Sequence, residues 1–512
     1  MDPFFLRSLF RKKSLDHIHG EAFNEEGPKL KRTLSALDLT ALGIGAIIGT
    51  GIFAVIGTAA AGGSHHLGAG PAVSLSFIIT AVACGFCALC YAEFAALVPV
   101  SGSAYTYSYA TLGELVAWII GWDLVLEYAV GNIAVSIGWA AYFRQLCSGM
   151  GFEIPAWLSV DYRSAYQAAM QVADKGGEIP ANLKLAYEAW QLHPTVLGIP
   201  IIFNVVAAGI VLVITWLLVI GIKESARVNN ILVGLKIIIL LLFLAVGFFH
   251  IKPENWSPFM PNGLQGVWTG ASLIFFAFIG FDAVSTAAEE CRNPGRDLPI
   301  GIIGSLAICT LFYVAIAVVL TGMQPWHQLG VPDPLAAAFT NLGMSWAAGL
   351  ISLGAVIAIA AVLLVLQMGQ TRIFFCMSRD GLLPKGVARV HPKYQTPYIT
   401  TILTGLAVAL IAGISNISEI VELTNIGTLF AFVLVNAGVI ILRVTDPDRP
   451  RMFRTPFVPV FPLLGIVMCL YLMLGLPAIT WKRFIIWLGI GLVVYFTYSR
   501  YRSVLARHRR SH

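Results

Sequence analysis

The chain has 512 residues, of which 57% are hydrophobic and only 12% charged, with a mean hydropathy of +0.79. Soluble globular proteins carry about 25% charged residues, so this composition excludes a soluble enzyme or scaffold and points to an all-α integral membrane protein. The net charge of +6 calls for no nucleic acid, because the excess falls in loops that would face anionic lipid headgroups.

Residues 1–32 read as a polar, basic tail, too long for the n-region of a signal peptide, and no cleaved targeting segment is expected. Within it, "FFLRSLFRKK" alternates apolar and basic residues, as an interfacial anchor or a disordered tail would. Apolar runs of about 20 residues then predict twelve transmembrane helices, centred near Gly45, Cys84, Tyr128, Val211, Leu240, Phe276, Leu311, Ala360, Ala407, Val433, Met468 and Gly489. An even number puts both chain ends on one side. Of the 33 Lys and Arg, 25 fall on the side of the chain ends and 7 on the other. By the positive-inside rule both termini are therefore expected in the cytoplasm of a multi-pass protein of the cell membrane. The remaining basic residue, Lys236, sits inside the fifth span.

The first span carries "GAIIGTGIF" at its centre, where each Gly weakens a helix by about 1 kcal/mol relative to Ala. Irregular backbone is tolerated at membrane depth only where it lines a cavity or is buried in protein. Gly45 and Gly49, spaced as GxxxG, also fit close helix packing, but the sixth span carries a matching interruption at "FFAFIGFDAV", with Gly280 and Asp282. Interruptions five spans apart have opposite orientation, which marks a 5+5 inverted repeat with broken helices 1 and 6. The expected organisation is a tail at 1–32, one repeat over 33–250, a second over 251–442, and two further spans with a cytoplasmic tail over 443–512. Residues 144–195 form the one long connection, expected to be extracellular, with two short helices parted at Gly176-Gly177.

At the first break one half-helix ends near Ile47 with free carbonyls, and the next begins near Thr50 with free N–H groups. Carbonyls suit an ammonium and N–H groups suit a carboxylate, and an α-amino acid carries both. Lys236 lies nine residues beyond Arg227, roughly 13 Å deeper, too deep to snorkel. A buried lysine needs a partner or loses its proton, which makes it a candidate carrier of H+. Asp123 and Glu127, four residues apart on one face of the third span, are its candidate partners. Glu127 and Asp282 are the acidic groups that would favour a cationic side chain. Sodium coupling is disfavoured because Gly354 to Gln370 of the eighth span contain no Ser or Thr. Cys84, Cys87 and Cys90 repeat every three residues, but no histidine lies at comparable depth, so no metal is expected. HExxH, GxSxG and a GK phosphate loop are all missing from the sequence, which argues against an enzyme and against ATP-driven chemistry.

The stretches "IGTGIF", "SGSAYTYSYATLGELVAWIIGWDLVLEYAVG", "GIKESARVNN", "FFAFIGFDAVSTAAEE" and "GQTRIFFCMSRDGLLP" resemble the cationic amino acid transporter branch of the amino acid–polyamine–organocation (APC) superfamily, from about Leu34 to Phe496. The resemblance implies a LeuT-like fold and transport of an amino acid by alternating access. It further implies that the backbone at Thr50 and Gly51 receives the carboxylate, that the carbonyls of Ile47, Phe276, Ala277 and Ile279 receive the amine, and that Lys236 is the proton-linked lysine; Gly49, beside them in the break, is expected to border the same site. No cofactor beyond a coupling proton and no obligatory protein partner is expected; the partners are the amino acid and membrane lipid. Cationic and neutral substrates both remain open; proton-coupled symport is the expected mode, with exchange or facilitated transport without obligatory proton coupling, or substrate sensing on the same fold, as the alternatives.

Overall fold

The computed structural model describes residues 11–13, 34–63, 66–97, 103–174, 183–196, 198–221, 226–394 and 396–508. Most of the N-terminal tail, the Gly176-Gly177 break and Lys223 lie outside them.

The described chain is helical apart from a two-residue antiparallel pair, Thr195–Val196 with Ile199–Pro200. Helix α1 (Ala36–Ile47) starts at a capping box, in which Ser35 Oγ accepts the Asp38 N–H and Asp38 accepts the Ser35 N–H. It stops where Ile48 turns extended, and α2 (Gly51–Ala61) continues at a bend of 41° with a π-helical first turn. Helix α3 (Val73–Leu97) and the short α4 (Ser103–Thr111) lead to the long α5 (Glu114–Gly149). Two helices, α6 (Tyr162–Asp174) and α7 (Lys184–Gln191), fill the long connection, and α5 runs several residues past the expected start of that connection. This segment has a small core of its own, with Ala156, Val160, Ala165, Ala189 and Ile202 packed by Trp157 and Trp190.

Helix α8 (Val205–Ile220) begins at an Asn204 cap and ends at Gly221, whose φ of 84° is the left-handed stop favoured by glycine. Then follow α9 (Ala226–Phe248) and α10 (Gly263–Ile274). A 3₁₀ turn, Phe275–Phe278, extends α10 until Ile279 turns extended and Gly280 takes a φ of 120°, beyond which the chain resumes as a 3₁₀ run, Asp282–Glu290. Five longer helices complete the bundle: α11 (Pro294–Met323), α12 (Ser345–Arg379), α13 (Tyr398–Ile414), α14 (Ile417–Thr445) and α15 (Val460–Leu474). Helix α16 (Ala478–Val494) ends the array.

Among the described residues eight helices are long and apolar enough to cross a membrane, nine if the bent α1–α2 pair is one span. Three shorter apolar helices, α8, α13 and α15, accompany them. Helices α5 and α12 lie side by side, α3 and α1 both pack on α11, and α14 packs on α5, around one continuous apolar core. The breaks in α1–α2 and after α10 meet inside this core.

Two clusters pair charged groups inside the bundle. Glu93 on α3 accepts from Arg443 Nε and Nη2 at 2.9 and 3.0 Å and from the Thr455 N–H at 2.8 Å, and forms an ion pair with Arg451, whose Nε lies 3.2 Å away. At the end of the bundle that holds both chain termini, Lys13 Nζ meets Asp380 at 3.2 Å, and Tyr105 donates to the same carboxylate. Within the stretch read as a surface anchor, Arg11–Lys13 therefore pack on protein: the Arg11 carbonyl accepts the Glu114 N–H, and the Lys13 N–H donates to Tyr109 O.

Candidate functional site

Two glycines let the interrupted helices cross at their breaks. A methyl at Gly51 would fall on the backbone of Ala277, with Ala277 N 2.9 Å away. Reciprocally, a methyl at Gly280 would lie 2.9 Å from the carbonyl carbon of Ala46. Each break thus rests its glycine on the other's main chain, a separation no side chain permits. Gly51 was expected to border open space for a carboxylate; its Cβ direction points into helix contact, and its remaining contribution is its N–H. Gly49 faces Val362, whose Cγ2 lies 2.9 Å from a methyl placed there. Thr50 stands against Gly138 and its hydroxyl donates to Val135 O at 3.5 Å.

A cavity of about 20 Å³ lies at the crossing, lined by Ile47, Gly49, Thr50, Gly51, Glu127, Phe276 and Ile279, with Gly131, Val135, Val362, Leu366 and Thr424 as the remaining wall. One water fits such a space; an amino acid needs it to widen. The expected site residues come together here except Ala277, Asp282 and Lys236. Asp282, with Glu127, lines an adjoining cavity of about 10 Å³, and its Oδ1 accepts the Gly280 N–H at 3.3 Å. Asp282 therefore caps the broken backbone. Ala277 lies behind the crossing, under Gly51. A larger vestibule of about 580 Å³ opens on the side opposite the chain ends and descends to Ala54 and Val55, one helical turn from Gly51. Its outer wall includes Asp161, Ser164 and Gln167 from the helical connection.

Lys236, 1% exposed, extends its ammonium to Gly45 O at 2.6 Å and Ile48 O at 3.1 Å. This corrects the expectation that Asp123 or Glu127 holds it: both Asp123 carboxylate oxygens are buried without a hydrogen-bond partner among the described residues. The break itself provides the acceptors, since the last carbonyls of a half-helix lack intrahelical partners and carry the negative end of its dipole.

Tyr313 on α11 had no place in the sequence reading. It is fully buried, its ring lies beside Phe77 and Phe278, and its hydroxyl is 2.9 Å from Ile47 O and 2.9 Å from Ala277 O. Those are two of the four carbonyls expected to meet the amine. An isolated tyrosine in an apolar span gives no periodic signal; a polar tip at mid-membrane depth, opposite an expected break, is the clue that could have exposed it. No group of three or more His, Cys, Asp or Glu placed to hold a metal occurs among the described residues.

A many-helix membrane protein with two spans broken at one buried crossing is built as a carrier. Residues 34–496 match the amino acid permease family model, and the chain belongs to that family, whose members are transporters and not enzymes. It is 49% identical over 499 residues to a branched-chain amino acid permease of Bacillus subtilis (strain 168), covering 97% of this chain and 99% of the relative. A methylthioribose transporter of the same organism is 46% identical over 500 residues, covering 98% and 100%. Cationic amino acid transporters match at lower identity, among them a vacuolar one of Arabidopsis thaliana at 35% over 450 residues, covering 86% of this chain and 68% of the relative.

Proposed function

We propose that this permease carries a neutral, aliphatic L-amino acid across the membrane by alternating access, coupled to a proton. The observation that carries the reading is the crossing of the two breaks. It brings the backbone of Gly49 to Gly51, leading into α2, and the last carbonyls of α1 and of the 3₁₀ turn after α10 to one buried point, which suits the carboxylate and ammonium of an α-amino acid. Apart from Glu127, the side-chain wall of the cavity carries no charge, which supports a neutral substrate. Gly131, Val135, Val362 and Leu366 are uncharged, and the space a side chain at Gly131 would enter is bounded by Leu366 Cδ1 at 3.6 Å and Thr424 Cγ2 at 3.9 Å. The relative named for branched-chain amino acids supports the same class.

The reading of twelve spans is supported by the eight long helices, the bent pair and the three shorter apolar helices taken together. The inverted repeat and the LeuT-like fold rest on the two breaks, and cytoplasmic termini rest on the Lys and Arg bias. Coupling rests on Lys236, a titratable group hydrogen-bonded to the broken end of α1.

Purified protein in proteoliposomes, given labelled leucine, valine, arginine, lysine and methylthioribose with and without an acid-outside gradient, tests the reading. Acid-stimulated accumulation of leucine or valine in sodium-free buffer is expected. Uptake confined to arginine and lysine would refute the substrate class, and uptake of methylthioribose alone would refute amino acid transport. Binding of leucine without counterflow would make the chain a sensor.

A further inference from the structure

At the crossing, three oxygens share one hydrogen. Tyr313 Oη lies 2.9 Å from both Ile47 O and Ala277 O. A phenol has a single proton, so at any instant it can serve one carbonyl fully, while the other faces an oxygen lone pair. Both carbonyls end half-helices and carry negative dipole charge. The ring is enclosed by Phe77 and Phe278, and the neighbouring cavity of about 20 Å³, which Ile47 lines and Ala277 does not, has room for one water at most. The other carbonyls at the end of α1, those of Gly45 and Ile48, take their donors from Lys236. The end of α1 is therefore served by side chains from α9 and α11, and the Tyr313 pair is the place where hydrogens run short.

We infer that Tyr313 is the stand-in for the substrate's ammonium: its hydroxyl serves the carbonyls of both breaks while the carrier is empty, and an arriving ammonium supplies the missing hydrogens. Tyr313 is a positioning residue. Its hydroxyl is needed most in the step where the carrier reorients without substrate, and least when the site is full. The inference rests on the alternating-access reading above.

Tyr313→Phe keeps the ring in its apolar cage and removes only the hydroxyl. In proteoliposomes, leucine–leucine exchange, in which the site reorients loaded, should stay within about twofold of the parent. Net uptake, which requires the empty site to return, should fall by roughly fivefold, the ordinary worth of one buried hydrogen bond. Leucine should bind the variant severalfold more tightly than it binds the parent. 2-Hydroxyisocaproate, the same molecule with a hydroxyl replacing the ammonium, should show no such gain. Thermal unfolding gives an independent readout: the empty variant should melt below the empty parent, and saturating leucine should close the gap where the hydroxy acid does not. Recovery of folded variant only when leucine is present during purification would be the same result in another form. Equal losses in exchange and net uptake, or equal affinity shifts for leucine and the hydroxy acid, would overturn the inference. A parent that neither accumulates nor exchanges leucine would instead overturn the transport reading and the inference with it.

Discussion

Replacing Lys236 separates structural from coupling roles, because a structural lysine would tolerate arginine and a proton carrier would not. In the folded protein the ammonium donates to Gly45 O and Ile48 O at 2.6 and 3.1 Å from a side chain that is 1% exposed. Lys236→Met leaves two buried carbonyls without donors, at about 1–3 kcal/mol each. It also removes a buried charge whose desolvation costs several kcal/mol. The opposing terms are of similar size, so the methionine variant should fold with a melting temperature within several degrees of the parent. Its transport should change far more. One pH unit across the membrane supplies about 1.4 kcal/mol per proton, so a two-unit gradient permits roughly hundredfold accumulation for one proton per substrate. Without a titratable group the ratio should collapse to about one, while counterflow survives. Lys236→Arg keeps the charge and the donors but does not release its proton at accessible pH. It should also lose gradient-driven accumulation, which a structural lysine would retain. The assay is labelled leucine uptake with and without an acid-outside gradient. Normal accumulation by the arginine variant, or a sodium requirement in the parent, would refute the coupling argument.

Two further substitutions probe the frame around the site. Gly51→Ala places a methyl on the Ala277 backbone, where no flexible side chain can yield, and should cost about 1–3 kcal/mol of stability together with leucine-dependent stabilisation, measured as the melting temperature with and without leucine. Glu93→Gln should cost about 3–5 kcal/mol, the usual loss when one partner of a buried ion pair is removed, because it leaves Arg451, 1% exposed at its side chain, without its carboxylate. The check is a lowered melting temperature whose size does not depend on leucine.

The breaks were legible because glycine in the centre of an apolar span has few other uses, and the matching offset of five spans gave them orientation. Their contact was not legible. That Gly51 rests on Ala277 and Gly280 on Ala46 depends on how two helices far apart in the chain cross, and no local pattern encodes it. Lys236 was visible as an anomaly, but its partner was sought among carboxylates, since charge pairing is the familiar way to settle a buried lysine. A broken helix offers acceptors that appear in no residue's side chain, and these hold it. Asp282 was read as a pocket acid; its acceptance of the Gly280 N–H shows that a carboxylate beside a broken helix can be engaged by the backbone it interrupts. Arg443 entered the sequence reading as loop charge, yet it closes a bidentate pair with Glu93 inside the bundle.

The broken first span also shows why its two ends are treated differently. A helix interrupted in a membrane creates a carbonyl end and an N–H end of comparable cost, and water is scarce for both. Here the carbonyl end is supplied from within the protein: Gly45 and Ile48 by Lys236, and Ile47 by Tyr313, which also reaches Ala277. The N–H end at Gly49 to Gly51 faces the small cavity, which its backbone lines. A carrier that filled both ends with its own side chains would have no reason to take up a zwitterion, and one that filled neither would be unstable when empty. Supplying most of the donors to the carbonyl end helps keep the empty protein folded, and in the proposed reading the N–H end is left for the substrate's carboxylate. The two resident donors then divide the remaining work. In the proposed cycle Lys236 would tie the break to the pH gradient, and Tyr313, whose single hydrogen is shared between two helices, would tie it to the presence or absence of an ammonium.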